Sequence, residues 1–277
     1  MNSYYSFLFF ILFAFSHSFS VCAYPSSPDY IALADSADFY IKREKWAKAE
    51  ETIIRALRLE PGNFSNSQLF SNLGIVQSNQ GRHQEALESF RLGLSIAPRS
   101  TTLRNNRART RMLLSDYVGA LEDLNESLKT DSIQEWPLQM RGLIFLQNDN
   151  LEAAEKDFLF LIANFPKNEV AMTGLGRIAE KKNRNDDALR YYDEALLISD
   201  DAETRSLRIL LKIKLEKYSE ASADIRKSLE KYPREPIFYV LRGYLHRLNY
   251  RNEEADADKK IALEKGADPI IVEQFLP

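Results

Sequence analysis

Four arginines stand sixteen residues ahead of four aspartates: Arg107 and Asp123, Arg141 and Asp157, Arg208 and Asp224, Arg242 and Asp258. A guanidinium is a planar fork that offers two parallel N–H donors to one carboxylate. The spacing therefore predicts Arg–Asp bridges between two neighbouring helices, a structural role rather than acid–base work. Other candidates for chemistry are sparse. His83 and His246 lie far apart, and neither has partners at a metal-ligand spacing. Gly174-Leu175-Gly176 lacks the third glycine of a dinucleotide fingerprint and falls in a helical stretch, where glycine serves packing. There is no phosphate loop and no Ser–His–acid set with shared local context. The acidic pairs Asp200-Asp201 and Glu253-Glu254 fall at turns and helix starts, where carboxylates cap or are solvated. These residues imply no enzyme activity, no cofactor and no metal.

The elements that position the paired charges repeat about every 34 residues. Gly74, Ala86, Phe90 and Pro98 are separated by 12, 4 and 8 residues, and Gly142, Ala154, Phe158 and Pro166 repeat both types and separations. The frame recurs with looser choices from Ala37, Ala108, Gly176, Ile209 and Gly243, the fourth of these series (Ile209, Ala221, Ile225, Pro233) arriving one residue early. An insertion of three residues, roughly Phe64 to Asn66, separates the first two units. A small residue in a first helix and an alanine in a second let the two approach closely. The bulky residue four positions after the alanine shares its face. The proline cannot continue a helix and marks its end.

These residues resemble the tetratricopeptide repeat, a helix–turn–helix unit of this period. The resemblance covers residues 30–269 of 277. The family's early tryptophan is absent. Leu33 and Phe70 stand in its place, while Arg104 and Arg205 depart from it. The resemblance implies an all-α, right-handed superhelical solenoid of about seven repeats, near 30–63, 67–100, 101–134, 135–168, 169–201, 202–235 and 236–269. A C-terminal segment, 270–277, either caps the last repeat's core or mediates self-association.

The same resemblance implies a concave face lined by the first helices. Asn105, Arg109, Trp136, Gln139, Leu143, Leu146, Thr173 and Arg177 are expected there, with Leu210, Ile213, Tyr244 and Arg247 towards the C-terminus. Apolar and aromatic anchors mixed with amides and guanidinium groups suit a peptide or an extended partner segment. Trp136 is either the principal anchor or packs on the preceding repeat. The basic run Arg99, Arg104, Arg107, Arg109 and Arg111 is either a seat for a carboxylate or a face paired with neighbouring acids. Asn72 and Asn106 match an asparagine place of the family's carboxylate clamp. Its basic places beside them hold Ala34 and Asp38, so the clamp is incomplete.

Residues 1–23 differ in character. An unbroken apolar run from Phe7 to Phe15 is followed by serines and by Val21-Cys22-Ala23, the pattern of a secretory signal cleaved after Ala23. As a helix the run spans about 14 Å, against roughly 30 Å of bilayer hydrocarbon. Lipidation of Cys22 and an uncleaved anchor are the two alternatives, and each would bring the protein to a membrane. Cleavage leaves residues 24–277 as one array without a thiol, since Cys22 is the one cysteine. With 37 basic and 40 acidic side chains the chain lacks the basic surplus of a general nucleic-acid binder. The expectation is a non-catalytic, exported scaffold, periplasmic or secreted. Its alternative is a structural, self-assembling spacer with no groove ligand.

Overall fold

The computed structural model describes residues 26–277, so the expected signal segment and Cys22 lie outside the described residues. Among the described residues every regular element is an α-helix. The helices pair as the repeat requires: α1 (Pro28–Ile41) with α2 (Trp46–Leu59), α3 (Asn66–Asn79) with α4 (His83–Ile96), and α5 (Thr101–Leu113) with α6 (Tyr117–Thr130). Then come α7 (Glu135–Gln147) with α8 (Leu151–Asn164), and α9 (Glu169–Lys181) with α10 (Asn185–Ile198). Finally α11 (Ala202–Lys214) pairs with α12 (Tyr218–Lys231), and α13 (Pro236–Leu248) with α14 (Asn252–Glu264), followed by the short α15 (Pro269–Phe275). Two compact units divide the chain, one up to Pro137 and one from Leu138. None of the helices among the described residues is long and apolar enough to cross a membrane.

Each first helix of a pair ends in the same turn. Glu44, Gly81, Ser115, Asp149, Asn183, Glu216 and Tyr250 all have φ between 55° and 77°. The N–H of the next residue reaches back five positions, as from Asp116 to the Arg111 carbonyl at 2.9 Å and from Arg184 to the Ala179 carbonyl at 2.8 Å. This closure satisfies carbonyls that a helix end leaves unpaired. Glycine adopts it freely, whereas the six other residues enter a region disfavoured by roughly 1–2 kcal/mol. The positive-φ residues are separated by 37, 34, 34, 34, 33 and 34 positions. Both irregularities match the expected insertion and the early phase of the sixth repeat.

In the first unit Ala49, Ile53, Leu69, Phe70 and Val76 are buried in one apolar cluster, with Leu33 packed against it. Phe70 thus fills the place of the absent tryptophan. Arg104 instead donates to the Pro98 carbonyl at 2.8 Å. In the second unit Phe158 is fully buried. A Cβ on Gly142 would sit 2.6 Å from one edge of its ring, and a Cβ on Gly174 2.5 Å from the other. Two bare backbones therefore clasp one ring. The same fit joins Gly176 to Tyr192. Glycine in a helix is unfavourable by about 1 kcal/mol against alanine, and close packing on a large ring offsets that.

The four Arg–Asp pairs each join the two helices of one repeat. Arg107 holds Asp123 with two bonds of 2.8 and 2.6 Å. Arg141 holds Asp157 with two of 2.7 Å, and Arg242 grips both oxygens of Asp258. Those three carboxylates are buried. The fourth pair differs. Arg208 reaches one oxygen of Asp224 at 3.0 Å and turns its other amino group to Asp193 at 2.5 Å. Lys212 also binds Asp224, at 2.9 Å. Asp193 occupies a place held by Arg91, Asn125, Leu159 and Arg226 in other repeats. An extra acid here splits the fork.

At the C-terminus Val272 and Leu276 are fully buried. Leu276 lies 2.9 Å from where a Gly243 Cβ would be. Phe275 meets Tyr244 edge-on at 5.2 Å. Segment 270–277 covers the last repeat's core.

Two predictions follow from this packing. Removing one partner of a buried ion pair leaves an uncompensated charge, at a cost of roughly 3–5 kcal/mol. Asp157→Ala should lower stability by about that much in urea unfolding, and clearly more than Asp224→Ala, because Arg208 and Lys212 retain other acids. Deleting 270–277 exposes the surface under Val272 and Leu276, each worth about 1.5–3 kcal/mol. The melting temperature should fall, with the loss greatest in amide protection of α13 and α14.

Candidate binding surface

The residues expected on the working face separate into groups with different environments. In the first unit α5 carries Asn105 and Arg109. Asn105 donates its amide to Gln134 Oε1 at 2.9 Å, while its own Oδ1 is buried without a partner among the described residues. The Arg109 guanidinium lies 4.7 Å over the Trp136 ring. Arg109 is exposed and Trp136 half-buried, so the stacked pair presents a cationic, apolar surface.

Three other arginines of the basic run, Arg104, Arg107 and Arg111, are spoken for. Asp123, 1% exposed, collects Arg107 at 2.6 Å, Arg111 at 3.0 Å and Arg104 at 4.0 Å. The cluster that looked available to an external carboxylate is largely organised around an internal one. Asn72 is likewise engaged, donating to Asp38 at 2.7 Å. His83 opens α4 beside the Ser78 hydroxyl, 3.3 Å away.

In the second unit Gln139, Leu143, Thr173 and Arg177 line one recess of about 460 Å³. Its remaining wall includes Glu169, Val170, Ser199, Asp201, Glu203 and Thr204. The recess is built from the first helices of three successive repeats, α7, α9 and α11. Gln139 accepts from Asn168 at 3.0 Å. Asn168 in turn caps α9 through the Ala171 N–H at 2.8 Å. The Thr173 and Thr204 hydroxyls meet at 3.0 Å. Asp201 caps α11 by accepting from the Thr204 N–H at 2.8 Å. Arg177 is exposed, and Glu169 and Glu203 supply carboxylates at helix starts.

The loop that contributes Ser199 and Asp201 is anchored by Asp200. Its carboxylate accepts from Arg205 Nη2 at 2.7 Å and from Lys231, and its carbonyl accepts from the Tyr232 hydroxyl. The Arg205 bond, helped by Lys231 and opposed by burial, holds the Asp200 pKa down at about 2, below the usual 3.8. Arg205, a departure from the repeat's aromatic pattern, thus locks the rim.

Four expected groove residues are placed differently. Leu146 is 3% exposed and belongs to the core, as does Ile213. Each follows the small-residue place of its helix by four positions, Gly142 and Ile209, and so shares the inward stripe. Ile213 packs with Ile209, Ala221 and Ile225. Tyr244 is committed to Phe275 of the cap, and Arg247 to Asp256 at 2.8 Å. Leu210 is partly buried against the Ile213 cluster.

Sequence reading missed the amide pairs. Asn105 with Gln134 and Gln139 with Asn168 occupy equivalent places 29 residues apart. Because the amides swap identity between repeats, only the position recurs.

Two tetratricopeptide repeat family models match, one over residues 67–100 and the other over 140–203. Both stretches are tetratricopeptide repeats. A tetratricopeptide repeat protein 36 homolog of Drosophila pseudoobscura pseudoobscura is 38% identical over 90 residues, 31% of this chain and 48% of that protein. The chain spans about half the length of the fly relatives it matches. Among solved structures, a tetratricopeptide repeat protein from Parabacteroides merdae ATCC 43184 is 28% identical with a TM-score of 0.70, covering 90% of this chain and 98% of that one. PilW, a type IV pilus biogenesis factor, has a TM-score of 0.62 at 18% identity, covering 75% of this chain and 96% of its own. The fold class is therefore the repeat solenoid, and such repeats are scaffolds for protein–protein contacts.

The rim lock gives a pH signature. A carboxylate whose folded pKa lies below its unfolded value stabilises fully above the unfolded value and loses this as pH falls through the folded one. The Asp200 contribution should be present above about pH 4 and vanish towards pH 2. Urea midpoints of Asp200→Asn should accordingly lie below wild type at pH 7 and converge with it near pH 2.

Proposed function

We propose that this tetratricopeptide repeat protein is an exported, non-catalytic scaffold that holds a peptide or an extended partner segment. The observation that carries the reading is the recess shared by Gln139, Leu143, Thr173 and Arg177. It offers an aliphatic floor, amide and hydroxyl groups able to bond a peptide backbone, and charges of both signs at its rim. An extended segment is read best by such a surface: backbone bonds give affinity and side-chain seats give specificity. The exposed Arg109–Trp136 stack supplies a second contact of the type enriched at binding hot spots. Export, to the periplasm or the exterior, rests on the apolar run and small-residue stop of residues 1–23.

A structural spacer role has one observation in its favour. Ile270 and Ile271 of the cap remain 79% and 41% exposed, an apolar pair open to a second copy.

The test is a paired capture from source-cell extract, read by mass spectrometry. It uses residues 24–277 and the variant Arg109→Glu, Trp136→Ala, Arg177→Glu, once that variant shows wild-type helicity and melting. A partner held by wild type and lost from the variant supports the groove. Identical capture sets would sink it, and mass measured with and without crosslinker would then test the spacer. N-terminal sequencing of the native protein should begin at Tyr24, while a start at Met1 would overturn cleavage.

A further inference from the structure

At five of the seven turns the residue after the positive-φ one is basic (Lys45, Arg82, Arg184, Lys217 and Arg251), while Asp116 and Asn150 hold the other two places. Two of these basic side chains reach the second helix of the preceding repeat. Arg82 pairs with Glu50 there, and Arg184 pairs with Glu155 at 2.5 Å. Glu50 and Glu155 each follow the near-constant alanine of their helix, Ala49 and Ala154. In the last junction Arg251 takes the place of Arg82 and Arg184. The residue after the equivalent alanine, Ala221, is Ser222. The built-in carboxylate is missing. At the junction of Lys217 the seat holds Leu189, which packs into the cluster of Ala188, Tyr192 and Leu211. Ser222 is too short to close the seat in that way.

A recess of about 490 Å³ opens at this place, lined by Ser222, Arg226, Arg242 and Arg251, with Ile225 and Leu245 among its apolar walls. Three guanidinium groups face one acid on the lining, Glu230. Arg242 is held by Asp258. Arg226 and Arg251 are exposed and make no ion pair among the described residues, although Glu230 lies one helical turn from Arg226. His246, which also lines the recess, has a buried Nδ1 with no hydrogen-bond partner among the described residues.

We infer that this recess is a carboxylate-binding site, in which an external carboxylate takes the seat that Glu50 and Glu155 fill in two other junctions. A guanidinium fork and a serine hydroxyl supply N–H and O–H donors. Ile225 and Leu245 favour a carboxylate carried on an apolar stem. The site is separate from the recess of Gln139 and Arg177, so either can stand without the other.

The test is titration of the isotopically labelled protein with hexanoate and with the blocked peptide acetyl-Leu-Glu-Leu-amide, following the arginine Nε–H signals. Saturable movement of the Arg251 and Arg226 signals is expected with at least one probe. The tighter probe tells whether a free acid or an acidic peptide side chain is the better ligand. Ser222→Glu fills the seat from within, and its like charge should weaken binding by at least about tenfold. Ser222→Ala, which keeps the arginines, should bind within about threefold, the loss of one modest hydrogen bond. No saturable shift in wild type, an unchanged affinity in Ser222→Glu, or equal shifts from the peptide with Gln for Glu would each overturn the assignment.

Discussion

Close approach of helix backbones around one large side chain is the constraint on which the second unit depends. Phe158 leaves no room for a Cβ at either Gly142 or Gly174. One glycine belongs to its own repeat and the other to the next, so a single ring sets two helix separations together. The recess of Gln139, Leu143 and Arg177 lies on the same helices, α7 and α9. Its width is therefore set by what the ring permits. The recess is a by-product of core packing, and its side chains are free to vary while the spacing holds.

Charge is organised by the same logic. In three repeats a buried aspartate of the second helix receives an arginine fork from the first, so those helix pairs are clamped at a point where apolar packing alone would allow sliding. Where a carboxylate has several cationic neighbours, as Asp123 does, a strongly basic helix becomes internally satisfied. Outside these pairs stand Arg109 on its tryptophan, Arg177 at the rim, and Arg226 and Arg251 beside Ser222.

Much of this was legible in the sequence, because period and residue size are local and repeated. The alanines, the ring-bearing positions, the three-residue insertion and the Arg–Asp spacing all follow from stripes on a helix. Leu146 and Ile213 were not legible as core residues. The first-helix rule that put Leu143 on the surface also put Leu146 there, and only the i, i+4 relation to Gly142 separates them. Arg208 shows a second limit. Its partner spacing is regular, yet Asp193 from another helix competes for it, and that neighbour becomes visible only when the helices are stacked. The amide pairs escaped for a related reason. A contact that exchanges Asn for Gln preserves geometry without preserving letters.

The left-handed turns also bear on how such a chain changes length over generations. Each turn joins its two helices through a closure of fixed size, so a residue added inside it would break the back-bonded ring. The one extended separation, 37 between Glu44 and Gly81, arises instead in the connection from α2 to α3. Gain and loss of residues is thereby channelled to the joints between repeats. Grafted loops, tags or new recognition segments would be best tolerated there, where the array has already accommodated an insertion without losing phase.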